Sequence, residues 1–466
     1  NNKWLTDASV ITNFSKNINQ NYRIHAHSAL QTSKNYIQIT NPNDELSYTN
    51  SLSTNINLDG FNLKKIDDQF QVSLNFYQTN QEDEDNKTIP TVLPKIKYFS
   101  GYNSKFGGNL SSTYEFYNIF REKSTTVHAK SQQKISYKFN AEKEIRDLNS
   151  KILIGTEIYN QGFNTEDKLI HNNNYKTGHY YRFFPILSIS TETPFRLKKY
   201  LSNITFSPKL HLVVTPGISN NSKLSNEDST NNDFSLDNIY RLNRFSGTDK
   251  MDNSKRITYG FSAYTERFKS SLAQSYEFTN NSNFHKEQGN DDNLSDLLGS
   301  LVYSKNNEIS YNFRYDLEDS YLKNQNINLK TYTQYGDIDI YYLDQNSKIN
   351  NIVSKDTETI NYNFSSKKIS KFSKINFKGL YDFKKETNKE YSIGYSYFDE
   401  CFGINLDFNR KSYEEDNLKP QDILTIMFSF KNIGSYKSTN LVVSETNKQD
   451  IEWENYSVSN DKFENN

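Results

Sequence analysis

Along most of this chain apolar and polar residues alternate one for one, and a period of two places each set on one face of a β-strand. Tyr391, Ile393, Tyr395 and Tyr397 alternate with Ser392, Gly394 and Ser396; Phe402, Ile404, Leu406 and Phe408 alternate with Gly403, Asn405 and Asp407. The pattern recurs at Phe70/Val72/Leu74/Phe76, Ile135/Tyr137/Phe139, Ile257/Tyr259/Phe261, Ile309/Tyr311/Phe313/Tyr315/Leu317, Ile360/Tyr362/Phe364, Ile375/Phe377 and Ile426/Phe428/Phe430. The repeating unit is a strand with one aromatic, apolar face and one small or charged face.

Composition decides which environment that face meets. Hydrophobic residues make up 34% of the 466 and mean hydropathy is -0.86, values that in a water-soluble chain point away from a large core. Yet there are 34 Tyr and 31 Phe, and disordered chains are poor in aromatics. A large membrane β-barrel reconciles the two, because it needs only a thin apolar band outside while its lumen and loops stay hydrated. No stretch approaches the ~20 apolar residues of a spanning helix, which leaves a closed barrel as the way to cross a bilayer. Ile309–Leu317, at nine residues, fits the ~9–11 of a tilted spanning strand. With roughly 10 residues per strand plus its share of turn and loop, the chain accommodates on the order of 20 strands. The expected fold is therefore all-β, a large antiparallel transmembrane barrel over residues 1–434, with a polar tail at 435–466.

Between the strand-like runs lie tracts rich in Asn, Asp, Ser, Lys and Glu, which are turn and loop chemistry. Long ones are Gln81–Lys87, Gly217–Asp233, Asn280–Asn293 and Tyr413–Asp422; Asn432–Ser435 is a tight one. Alternating long loops and short turns is how outer-membrane barrels are built. Pro90, Pro94, Pro185, Pro194, Pro208 and Pro216 sit within or beside strand segments, where a missing N–H predicts strand ends, bulges or turns. The start at Asn1 shows no basic-then-apolar segment and carries no targeting information.

Lys+Arg (55) and Asp+Glu (56) nearly cancel and are interspersed, which argues against nucleic acid as a partner. His25-Ala-His27 puts two imidazoles on one strand face but has no carboxylate or cysteine at a ligand spacing, so no metal site is assigned. The acidic tracts Glu227-Asp228 and Asp291-Asp292 lack the calcium-loop pattern and read as solvated loops. No nucleophile elbow, phosphate loop or dinucleotide fingerprint occurs, so neither an enzyme nor a cofactor is expected. Cys401 is the single cysteine; a free thiol and pairing with a cysteine outside this chain both remain open.

The chain carries, in order, Phe184–Phe195 (FPILSISTETPF), Asn226-Glu227-Asp228-Ser229, then Asn243-Arg244-Phe245-Ser246-Gly247-Thr248-Asp249-Lys250, and Arg256-Ile257-Thr258-Tyr259-Gly260. This series resembles the central barrel of the LptD (OstA/Imp) family of lipopolysaccharide-assembly proteins. Asp83-Glu84-Asp85 with Thr88-Ile89-Pro90, and Phe120-Arg121-Glu122, are similar to its alphaproteobacterial branch, while Cys401-Phe402-Gly403-Ile404 and Phe428–Gly434 resemble its carboxy-terminal strands. The chain departs from the family in having one cysteine where adjacent cysteines are usual. The family's amino-terminal jellyroll and first barrel strands are not visible in this sequence, which reads as the carboxy-terminal barrel portion.

The resemblance implies an integral protein of the Gram-negative outer membrane. It further implies that lipopolysaccharide passes through the lumen and leaves by a lateral gate into membrane lipid. A plug lipoprotein similar to LptE, a periplasmic Lpt bridge reaching the amino-terminal domain, and the barrel-assembly machinery are the implied partners. Cys401 is the implied disulfide position toward the amino-terminal region. Thr425, Met427 and Ser429, the inward residues of the last strand if Phe428 faces lipid, are the candidate gate. A hydrated lumen wall is the competing role for those three. Lys138 and Lys378 are candidate phosphate contacts or plain luminal charges. The rival readings are a general porin or a TonB-dependent-receptor-like uptake channel, a small barrel enzyme, and a soluble adhesive β-protein.

Overall fold

The structure is a computed structural model. It describes residues 7–445 except 35, 41–45, 47–48, 64–66, 81–83, 104–106, 148, 172–173, 198–202, 231, 280, 282, 285, 292, 350–351, 368, 400, 412–420, 431–433 and 438–440. In chain order the strands are β1 (Ser9–Asn17), β2 (Tyr22–Gln31), β3 (Ser51–Phe61), β4 (Gln69–Thr79), β5 (Thr91–Asn103), β6 (Asn109–Phe120), β7 (Ser131–Asp147), β8 (Ser150–His171) and β9 (Asn174–Glu192). There follow β10 (Phe195–Leu197), β11 (Ile204–Val214), β12 (Lys255–Tyr264), β13 (Phe268–Glu277), β14 (Asn290–Asp291), β15 (Leu294–Ser295), β16 (Leu297–Ser304), β17 (Asn307–Asp316) and β18 (Tyr321–Tyr332). The last are β19 (Gly336–Ile349), β20 (Ile352–Ser366), β21 (Ser373–Asp382), β22 (Thr387–Phe398), β23 (Phe402–Lys411), β24 (Gln421–Phe430), β25 (Gly434–Lys437) and β26 (Leu441–Glu445). Among the described residues one short α-helix, α1 (Tyr36–Thr40), follows β2.

The chain divides into two compact units, Asn1–Pro194 with Pro208–Tyr259 and Ser275–Leu294, and Phe195–Ser207 with Gly260–Gln274 and Ser295–Asn466. In the first, β1 to β9 pair antiparallel in chain order, and Lys209–Val214 of β11 closes onto Leu187–Glu192 of β9. In the second, β10 pairs the start of β11 and Phe268–Ala273 of β13 pairs β16. From β16 to β24 each strand pairs the next. Beyond residue 434, β25 and β26 both pair against β24. The all-β, antiparallel expectation holds, and every run singled out by its alternation lies on a strand, with Leu317 just past the end of β17.

The polarity of the two faces is inverted relative to a water-soluble sheet. On β7, Gln132, Lys134 and Ser136 are buried while Ile135 between them is 66% exposed. On β9, Arg182, Phe184 and Ile186 are buried while Tyr181 (70% exposed), Phe183, Leu187 and Ile189 are open. Side chains one residue apart point to opposite faces, so one face is apolar and uncovered, and the other, covered, carries the buried charged and polar groups together with a few apolar ones such as Phe184 and Ile186. The second unit repeats the arrangement: Lys323 on β18 lies buried 3.0 Å from Asp296 and 2.9 Å from Asp316, whereas Ile309 and Ile327 are exposed. A lipid-facing wall needs this inversion.

Proline placement follows the ladder. Pro94 sits in the β5 bulge between Val92 and Lys95, where no N–H is required. Pro185 lies inside β9 opposite Ile158, which the expectation of ends and bulges did not anticipate. Among the described residues, β11 reaches only Leu187–Glu192 of β9, so Pro185 lies where β9 has a single strand neighbour and tolerates a missing donor.

If Ile135 faces hydrocarbon, Ile135→Arg should lower stability by on the order of 2 kcal/mol in urea-dependent refolding into lipid vesicles. On a water-facing strand the same change would be neutral or improve solubility.

Candidate functional site

From Thr215 to Ser254 no strand occurs among the described residues, and the base of the segment is closed by Thr215 N–H donating to the Ser254 carbonyl at 3.1 Å. The segment folds onto the covered face of the wall. Met251 enters an apolar seat made by Tyr159, Phe184, Ile186 and Val213, with Leu242 packed against it. Beside that seat the wall buries polar and charged groups, Gln132, Lys134, Gln161 and Arg182 among them. The loop must therefore satisfy them, because a buried charge without a partner is costly.

Two ionic clasps do so. In the first, Lys134 of β7, with no exposed surface, places Nζ 2.7 Å from Asp249, 3.2 Å from Asp228 and 2.7 Å from the Thr248 hydroxyl. The Asp249 carboxylate also accepts from Tyr117 Oη at 3.0 Å and from the backbone N–H groups of Glu227 (2.8 Å) and Asp228 (3.1 Å). Arg182 of β9 donates to the backbone carbonyls of Thr248 (2.6 Å) and Asp249 (2.8 Å) and is steadied by Gln161. Arg121 forks onto Glu227 at 3.0 and 2.6 Å, the bidentate geometry in which a guanidinium binds a carboxylate most specifically. Gln132 accepts from Ser225 N–H at 3.0 Å and donates to the Ser225 carbonyl at 3.1 Å.

The second clasp centres on Arg244, wholly buried. Its guanidinium bonds Asp252 at 2.6 Å and Glu277 of β13, and its plane lies 4.6 Å from the Phe234 ring and 5.0 Å from that of Phe284, a cation–π arrangement favoured where water is excluded. Phe245 stacks on Phe284 at 4.8 Å. Arg256 of β12 reaches the same Asp252 at 3.1 Å and donates to the Arg241 carbonyl.

The sequence motif thereby acquires physical content. Asn243 donates to the carbonyls of Gly247 (3.0 Å) and Lys250 (3.3 Å) and accepts from Asp252 N–H (3.0 Å), so it braces the turn. A Cβ at Gly247 would collide with the backbone carbonyl and carboxylate of Asp228, so only glycine fits there. Asp249 and Arg244 are the loop's two ionic anchors. Tyr259 points to the open face of β12, and Gly260 follows it on the strand.

Glu227 and Asp228 are not the solvated loop residues their sequence suggests: both are engaged with the wall. Burial pushes the Glu227 carboxyl up, but hydrogen bonds from His128, Arg121 and Ser225 outweigh it and hold it down to about 2. Burial likewise raises Asp228, and Lys134, Ser229 and the N–H groups of Asp249 and Thr248 bring it to about 2. Of the wall members of the clasps, Arg121 falls in the motif Phe120-Arg121-Glu122, whereas Lys134, Tyr117, Gln132, Gln161 and Arg182 belong to none of the motifs singled out in the sequence. For two of them the available signal was position: Lys134 is followed by Ile135, and Arg182 lies between Tyr181 and Phe183, each a charge alternating with apolar or aromatic residues on a strand. Gln132, between Ser131 and Gln133, and Gln161, between Asn160 and Gly162, carry no such signal.

The remaining candidates lie elsewhere. Thr425, Met427 and Ser429 share one face of β24, opposite Asp407, Asn405 and Gly403 of β23; Thr425 is buried. Phe428 and Phe430, on the other face, contact Phe402 at 6.2 and 5.5 Å. Cys401 is exposed and free. His25 lies 3.2 Å from Asp59, and His27 Nδ1 is 2.7 Å from the Asn13 side-chain oxygen. Lys138 pairs with Glu157 at 2.6 Å and Lys378 with Glu390 at 2.9 Å. Most of the expected long loop Tyr413–Asp422, and residues 432–433 of the expected tight turn Asn432–Ser435, lie outside the described residues, while 434–435 open β25.

Among the described residues no helix is long and apolar enough to cross a membrane. Strands with an apolar open face and a charged face filled by an inward loop define the class, a β-barrel of the outer membrane. The profile of one family, described as LptD: LPS transport system D, matches residues 8–386. This chain belongs to the LptD family, whose members are outer-membrane proteins of lipopolysaccharide transport and outer-membrane assembly. Among solved structures it is similar to the siderophore receptor PirA from Acinetobacter baumannii at 9% identity, covering 82% of this chain and 71% of that one, with a TM-score of 0.42. A ferric enterobactin receptor from Pseudomonas aeruginosa gives 9% identity, 91% and 73% coverage and a TM-score of 0.41. Neither likeness bears on function. No curated protein matches.

Lys134→Met should leave Asp249 and Asp228 without their cation, at a cost on the order of 3–5 kcal/mol. The expected readout is new protease cleavage within residues 215–254 while β7 to β9 stay protected. Because Glu227 and Asp228 titrate below the ordinary carboxylate range when folded, their contribution is complete above that range and is lost as pH falls through it toward about 2. Hydrogen exchange of the loop amides should therefore be slow at neutral pH and accelerate, after correction for intrinsic rates, in that acid window. A constant protection factor would contradict the assignment.

Proposed function

We propose that this chain is the membrane-embedded part of a translocon that inserts lipopolysaccharide into the outer leaflet. The observation that carries the reading is the family match over residues 8–386 on a wall that is polar inside and apolar outside. Lipopolysaccharide joins a polar sugar and phosphate portion to acyl chains, and each part must meet its own solvent throughout. The charged face offers hydrogen bonds to the sugars, and a lateral opening beside β24 lets acyl chains enter lipid directly. Thr425, Met427 and Ser429, on one face of β24, line that opening. No covalent bond is made or broken, so the protein works as a conduit and not as an enzyme.

The partners follow from the family. An LptE-like lipoprotein occupies the interior, a periplasmic Lpt bridge delivers lipid by way of an amino-terminal domain, and the barrel-assembly machinery inserts the chain. Residues 1–434 form the barrel portion and 435–466 a polar extension. Cys401, exposed and free here, is the position for a disulfide to the amino-terminal domain.

Depleting the full-length protein in its host should cause newly made lipopolysaccharide to accumulate at the inner membrane and vanish from the surface before other barrels decline. Unchanged surface lipid, with loss of small-solute uptake instead, would overturn the reading in favour of a porin or receptor-like channel.

A further inference from the structure

A cavity of about 490 Å³ lies between the wall and the inward loop, within the size range of small-ligand sites. Strands β3 to β6 form one side, and Glu227 and Asp228 of the loop form the other. Its floor is apolar: Val92 and Ile119 are buried there in one cluster with Tyr117, and Ile89 and Pro90 extend it. Its lining also carries the amide side chains of Asn50 and Asn75, the latter donating to the Ser73 hydroxyl at 3.1 Å, and the ring of Tyr77. Tyr77 is 40% exposed although its neighbours on the same face of β4, Ser73 and Thr79, are buried.

The charges around this cavity are already answered. Glu227 is held by Arg121 at 2.6 Å, Asp228 by Lys134 at 3.2 Å, and Lys95 by Glu115 at 3.3 Å. Glu84, whose carboxylate accepts from the Thr79 hydroxyl at 2.9 Å, adds a further negative charge to the lining. An anionic ligand is disfavoured, and among the described residues no three His, Cys, Asp or Glu side chains gather to hold a metal. What remains is a site for an uncharged molecule with an apolar face and many hydroxyls. Amides donate and accept at once, which matches adjacent hydroxyls, and an aromatic ring with an apolar floor matches the C–H face of a pyranose.

We propose that this cavity is a saccharide subsite, taking a short uncharged hexose segment of the lipopolysaccharide sugar chain as it passes. The proposal rests on the transport reading and adds to it a place on the wall and a preference for neutral over phosphorylated sugar.

The test uses the full chain in detergent micelles and saturation-transfer NMR with maltotriose and with glucose 6-phosphate as probes. Saturation of maltotriose should exceed that of glucose 6-phosphate. It should fall about fivefold in Tyr77→Ala, consistent with one lost aromatic contact, and persist in Tyr77→Phe, which keeps the ring. Equal signals from wild type and Tyr77→Ala, or a preference for the phosphorylated probe, would overturn the subsite. In cells, Tyr77→Ala should slow surface arrival of lipopolysaccharide bearing neutral sugars and spare a sugar-truncated form. Loss of maltotriose binding with both forms delivered at wild-type rates would show a site for free sugar off the route and overturn the proposal, leaving the transport reading intact. The transport reading itself fails only if depletion of the protein leaves surface lipid unchanged.

Discussion

Lys134 has no exposed surface, and the residue after it, Ile135, is among the most exposed apolar side chains of the chain. That single step along β7 states the constraint on the whole architecture: the apolar face is turned outward, so the interior is where the charges are. A water-soluble protein fills its interior with hydrocarbon and needs little direction in doing so. Here the covering segment must supply carboxylates and carbonyls at fixed points, and Asp249, Asp228, Thr248 and the carbonyls met by Arg182 supply them. The apolar seat of Met251 is small. Position is therefore set by hydrogen-bond geometry more than by burial of apolar area.

Buried ion pairs are weak evidence for net stability, because desolvation offsets much of the attraction. Their better-attested role is to specify one arrangement over others, and the two clasps are built for it. Arg121 forks onto Glu227 and Arg244 spans Asp252 and Glu277, contacts that a shift of the loop by one residue would break together. The second clasp also ties the loop to β12 and β13 through Arg256 and Glu277, while the first ties it to β6, β7 and β9. A segment fixed on both flanks behaves as part of the wall.

The fold was legible because alternation is local. Tyr391–Tyr397 and Phe402–Phe408 announce their faces without reference to anything distant, and they became β22 and β23. The site was legible only as a resemblance. Asn243 to Lys250 stood out as a motif, but its physical task depends on Lys134 and Arg182, more than sixty residues away in sequence. Glu227 and Asp228 misled for a related reason: a polar tract between strands reads as solvated when the interior is assumed to be apolar. Once the interior is charged, such a tract is what it would be expected to bind. Pro185 shows the same limit, since its tolerance depends on where β11 stops.

The inward loop also changes what the interior can do for a passing lipid. An open charged wall would hold lipopolysaccharide phosphates tightly at each exposed lysine or arginine, and tight holding opposes release. In this wall Lys134, Arg121 and Arg182 are already committed to the loop, and Lys138 to Glu157. The cations nearest the inward segment are thus spent on structure, and on the proposed transport reading amides, hydroxyls and aromatic rings are the groups left for a sugar to meet. Such contacts are individually modest and easily exchanged. On the proposed transport reading, a surface of that kind guides a polyhydroxyl chain without trapping its phosphates, and the same clasps that fix the loop make the route weakly binding.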